Sequence, residues 1–148
     1  MSHTSELTTQ DYYIHELMVD AVAKSRFNLD GWNVTTNSRS ENDNIPDIVA
    51  KNQDEVVATG VVETSSTISE ERALQWKLFG KSCVRFYIFV PEGAEETAAD
   101  LITKYKVECA GLRCYSMNGH LDVKPVYLKE ISCRDDDHTW WLSLGGSN

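Results

Sequence analysis

Between Asp11 and Phe27 the apolar Ile14, Leu17, Met18, Ala21 and Val22, with the small Ser25, recur at three- and four-residue steps and predict an amphipathic helix. Thr8 or Thr9 is placed to cap it, and Asp11 in the first turn suits the helix dipole. Asp30-Gly31 predicts the turn that follows, Trp32 to Thr36 a short strand, and Asn37 to Ile45 a polar, mobile loop. Pro46 opens a second strand, a tolerated place for a residue without an amide proton. Asn52-Gln53-Asp54 reads as a turn, and Glu55 to Thr64 as a third strand. Thr67 and Glu70 have capping-box spacing ahead of a helix carrying Ala73, Leu74, Trp76, Leu78 and Phe79, with Gly80 where a left-handed C-cap glycine belongs. Val84 to Val90, rich in β-branched and aromatic residues, is the clearest strand. A further helix bearing Ala94, Ala98, Leu101, Ile102 and Tyr105 precedes a strand over Leu112 to Met117. Val123 to Ile131 reads either as a strand or as an irregular arm. The order is α-β-β-β-α-β followed by α-β.

With 148 residues, 41% of them hydrophobic and 25% charged, the chain suits one soluble domain. Residues 1–9 are expected to form a flexible lead and 119–148 an irregular extension. No apolar run is long enough to span a membrane, and the N-terminus has neither the basic nor the apolar part of a signal peptide, so a cytoplasmic protein is expected. Cys83, Cys109, Cys114 and Cys133 form no CxxC pair and read as buried reduced thiols. The net charge is −9. Residues 1–50 hold eight acids against three bases, 51–100 nine against five, and 101–148 six of each. Nucleic-acid binding would therefore need a local basic surface, a metal-neutralised cleft or a partner subunit. The apolar Trp140-Trp141-Leu142 suits docking on the core, on a second copy or on a partner protein.

Two carboxylates stand out: Asp47 at the start of one strand and Glu63 at the end of the next. Adjacent strands that bring two acids together can hold Mg²⁺. Glu63 follows Val61 and Val62, so it is expected to be buried and to need a metal, a cationic side chain or donors such as Ser65, Ser66 and Thr67. The element order, the Pro46-Asp47 pair and the later Gln75-Trp76-Lys77 together resemble the PD-(D/E)XK nuclease superfamily over roughly residues 11–117.

The resemblance implies a restriction endonuclease-like three-layer α-β-α core, with a central mixed sheet of four to five strands flanked by helices. It further implies DNA as substrate and Mg²⁺ or Mn²⁺ as cofactor. Asp47 matches the first metal-binding Asp. Glu63 matches either the lysine position, which puts Val61 at the second acid, or the acid itself, which puts Ser65 at the lysine. Neither register completes the acid-x-lysine pattern. Gln75 matches the helix glutamine, Lys77 or Lys81 could stand in for the lysine, and Asp20 or Glu16 could add a first-helix carboxylate. Two functions are open: a metal-dependent nuclease-fold protein that hydrolyses or binds DNA, or a catalytically degenerate module of that fold used for protein binding or assembly. The histidines have no zinc-ligand spacing, Asp135-Asp136-Asp137 lacks EF-hand grammar, and no nucleotide-binding or serine-hydrolase motif is present.

Overall fold

A computed structural model describes residues 7–27, 29–81, 85–117 and 123–126 of the chain. Helix α1 spans Thr9–Arg26, opened by a capping box in which the Thr8 hydroxyl accepts from the Asp11 amide and the Asp11 carboxylate accepts from the Thr8 amide, each at 3.0 Å. Strands β1 (Trp32–Thr36), β2 (Ile48–Asn52) and β3 (Glu55–Val62) form an antiparallel meander. Gln53 and Asp54 both have positive φ in the tight turn from β2 to β3, the backbone that two-residue hairpins require. Helix α2 (Glu70–Gly80) then carries the chain to β4 (Arg85–Pro91), which is parallel to β3. Helix α3 (Glu95–Tyr105) leads to β5 (Gly111–Met117), parallel to β4, and β6 (Val123–Val126) pairs antiparallel with β5.

Among the described residues, six strands lie side by side in chain order. The sheet is mixed and has helices on both faces, making an α/β fold of three layers. Side-chain alternation builds the layers. Ala58 and Val62 of β3, with Tyr87 and Phe89 of β4, meet Met18, Val19, Val22 and Ala23 of α1 on one face. Val61, Phe86, Ile88 and Val90 point the other way, onto Ala73 and Trp76 of α2 and Ala98 and Ile102 of α3. A strand covered on both faces reads as a continuous apolar run, which is why β4 is so plain in the sequence.

Two expected helix boundaries move. The N-cap of α2 is Ser69, whose hydroxyl accepts from the Arg72 amide at 3.1 Å, in place of Thr67. Gly80 is still helical, and Lys81 caps the helix with right-handed φ and ψ. The glycine is needed for a close approach: a Cβ at Gly80 would sit 2.0 Å from the Glu108 carbonyl oxygen. The expected lead shortens too, because Thr8 and Thr9 already belong to the start of α1. Trp140-Trp141-Leu142, Cys83, Cys133 and most of the expected extension lie outside the described residues. Among those described, no helix is long and apolar enough to cross a membrane.

Candidate functional site

Strand pairing brings the two carboxylates together. Ile48 is opposite Gly60 in the β2–β3 ladder, so one further step sets Asp47 against Val61, diagonal to Glu63. Continued pairing beyond β3 holds Glu63 in place through its amide, which donates to the Phe89 carbonyl at 2.8 Å. Both acids are fully buried. Two ionised carboxylates so close would repel in a dry interior, and a cation must lie between them.

Arg39 is that cation. Its Nε and Nη2 donate to Asp47 Oδ1 and Oδ2 at 2.9 and 2.8 Å. Its Nη1 and Nη2 donate to Glu63 Oε1 and Oε2, both at 2.9 Å. One planar guanidinium thus makes a two-point contact with each acid, the geometry in which arginine binds carboxylates most strongly. The remaining acceptor capacity is used as well. Asp47 Oδ2 accepts from the Val62 amide at 2.8 Å. Glu63 Oε1 accepts from the Thr67 hydroxyl at 2.7 Å, and Oε2 from the Trp76 indole at 2.8 Å and Arg72 Nε at 3.1 Å. The Tyr115 hydroxyl donates to the Glu63 carbonyl at 2.8 Å.

The loop from β1 to β2 delivers Arg39 and is tied down where the sequence suggests freedom. The Asn37 amide donates to the Asp47 carbonyl, and Gln75 Nε2 donates to the Asp43 carbonyl, each at 2.8 Å. The Ser38 hydroxyl donates to the Glu16 carboxylate. His15, fully buried on the inner face of α1, has Nε2 at 3.4 Å from Asp47 Oδ2, an ion-pair distance beyond ordinary hydrogen-bond length. Among the described residues its ring nitrogens have no hydrogen-bond partner.

Electrostatics favour the charged forms. Burial pushes the Asp47 carboxyl upward, but the His15 contact and the Arg39 charge outweigh it, leaving Asp47 below the usual carboxylate range. Burial likewise raises Glu63, and the charges of Arg39 and Arg72 bring it below its ordinary value. Arg39 is opposed by its own burial, yet Glu63 and Asp47 lift it further above its already high value. The result is a cluster in which the charges of Arg39 and Arg72 offset those of Asp47 and Glu63.

The other sequence-derived candidates are spread around this cluster. Gln75 lines the cleft outside and pins the loop. Lys77 is half-buried on α2, and no contact places it on either carboxylate. Glu16 is engaged by Ser38, while Asp20 is exposed and pairs with Lys24 at 3.0 Å one helical turn away. Asp20 is therefore a surface residue outside the buried cluster. Ser65 and Ser66 are exposed, so Thr67 is the hydroxyl that serves Glu63. Cys109 and Cys114 are buried, and burial, helped by Glu95 and Glu92, pushes the Cys114 thiol up to about 11.

A hard divalent ion needs carboxylate oxygens at about 2.0–2.3 Å and open positions for water. The Asp47–Glu63 pair does not fit that need as arranged, because the guanidinium occupies the space between the acids and every carboxylate oxygen already accepts a hydrogen bond. Among the described residues, no group of three or more His, Cys, Asp or Glu side chains is arranged to hold a metal ion.

The sequence reading missed Arg39, Arg72 and His15. Arg39 is the only basic residue between Arg26 and Lys51, and the need to neutralise two buried acids was the available signal. No protein-family model, curated protein or solved structure matches this chain.

Proposed function

We propose that the chain is a catalytically degenerate module of the PD-(D/E)XK nuclease fold, used for protein binding or assembly. One observation carries this reading: the Arg39 guanidinium lies between Asp47 and Glu63, where a nuclease of this fold would hold its metal. A divalent ion would have to displace a buried, doubly paired arginine and compete with three further donors to Glu63, from Thr67, Arg72 and Trp76. The three-layer sheet, with Asp47 just before its second strand and Glu63 just past its third, supports the kinship. Val61, two residues before Glu63, is fully buried in the apolar layer under α2 and offers no ligand.

Hydrolysis of a phosphodiester by such a fold requires a metal-activated water, and losing the groups that place it costs orders of magnitude in rate. Titrating Mn²⁺ into the full chain by calorimetry is expected to show no saturable binding, and supercoiled plasmid is expected to stay intact with Mg²⁺ or Mn²⁺. Cleavage by the wild type that disappears in Asp47→Ala would overturn the reading in favour of a metal-dependent nuclease.

A further inference from the structure

Outside the buried cluster lies an open cleft of about 870 Å³, walled by the start of α1, the loop from β1 to β2 and α2. Its size suits several side chains of a ligand or peptide. At its inner end Arg39 and Arg72 are neutralised by Asp47 and Glu63. Its walls carry Asp11, Asp43 and Glu71. Among the described residues, neither Asp43 nor Glu71 has an ion-pair partner, and both are exposed. A phosphate entering the cleft would meet three acids and find both arginines already paired. The electrostatics therefore disfavour nucleic acid and favour a cation.

An apolar strip runs beside the acids. Leu74 lines the cleft and is 50% exposed, and Leu78, one turn further along the same face of α2, is 61% exposed. Ile45, 44% exposed, follows Asn44 in the segment that Gln75 holds against α2. Large apolar side chains left in water beside unpaired charges are the composition of a binding surface with an apolar centre and a charged rim.

We propose that this cleft is a docking site for a basic segment of a partner protein, one with an apolar anchor flanked by lysine or arginine. The anchor rests on Leu74 and Leu78, and the flanking cations meet Asp43, Glu71 and Asp11. The inference rests on the degenerate-module reading, since it requires the charges of the two arginines to be offset by Asp47 and Glu63.

The test uses the full chain and four fluorescent probes: a short leucine–lysine peptide, the same peptide with glutamine or with glutamate in place of lysine, and a short DNA duplex. The lysine peptide is expected to bind best. The double variant Asp43→Lys/Glu71→Lys is expected to weaken it at least about tenfold and to improve binding of the glutamate peptide. Leu74→Ser is expected to weaken the lysine and glutamine peptides alike. Glu96→Lys/Asp100→Lys makes the same charge change on exposed positions of α3 and is expected to leave binding within about twofold. All substituted positions are exposed, so the variants keep the fold, which circular dichroism verifies. Equal losses in the cleft and α3 variants would mean unspecific charge attraction and overturn the proposal, as would preference for the duplex or no peptide binding. Mn²⁺ titration and plasmid cleavage on the same preparation separate the two readings. An inert chain without peptide discrimination loses only the docking site, whereas metal binding with cleavage removes the degenerate module beneath it.

Discussion

Arg39 carries more of the local structure than its place in a polar loop suggests. Removing it leaves two ionised acids buried side by side, and deleting one partner of such a cluster typically costs about 3–5 kcal/mol. Arg39→Met is therefore expected to lower the unfolding free energy by about that amount in urea titrations. A loss under about 1 kcal/mol, the range of an exposed pair, would mean that the cluster is solvated in solution. The same residues set the response to acid. The carboxyls of Asp47 and Glu63 are held below their ordinary values of 3.8 and 4.5 in the folded chain. Depressed carboxyls contribute stability that is fully present above those ordinary values and is lost as pH falls through the depressed ones. Unfolding free energy is thus expected to decline as pH drops below 4.5, with a shallower slope in Glu63→Gln. Equal slopes in wild type and variant would remove Glu63 as a source of the effect. At this scale Asp47 and Glu63 were legible, because an acid beside apolar strand residues is conspicuous. Arg39 was not, because a lone arginine among Asn, Ser and Asp looks solvated until the fold shows what it faces.

At the scale of elements, local rules account for most of what forms. Periodicity located α1 and α3, a dense run of β-branched and aromatic residues located β4, and the Thr8–Asp11 box is spelled out within four residues. The misreadings around α2 share one cause. Thr67 and Gly80 were read by local grammar, whereas tertiary contacts determine both: Thr67 serves Glu63, and Gly80 lies against the backbone of Glu108. Gly80→Ala tests the packing account, the capping role being already filled by Lys81. A Cβ 2.0 Å from a carbonyl oxygen forces the end of α2 away from the chain after α3. Overpacking of this kind costs about 1–3 kcal/mol, and thermal unfolding of Gly80→Ala is expected to show that loss. An unchanged melting temperature would mean that the backbone at Glu108 yields to the added methyl without cost.

For the whole molecule, one sheet serves two apolar layers, so stability is greatest in the strands covered on both faces. Hydrogen exchange is expected to be slowest at β4, between β3 and β5, and faster at β1, which is at the sheet edge and alternates half-buried with exposed residues. Protection at β1 equal to that at β4 would point to a cover over that edge. The acidic balance, with no excess of bases in any third of the chain, already weighed against a DNA surface. The amino-acid sequence alone determined the order of elements as far as β5 and the two acids, because periodicity, turn residues and strand alternation are short-range properties; the layered α/β class was what the resemblance carried by those elements implied. Only the tertiary structure decided what those acids do. Which cation neutralises a buried pair depends on a loop folding back from another part of the chain, and here that cation is Arg39.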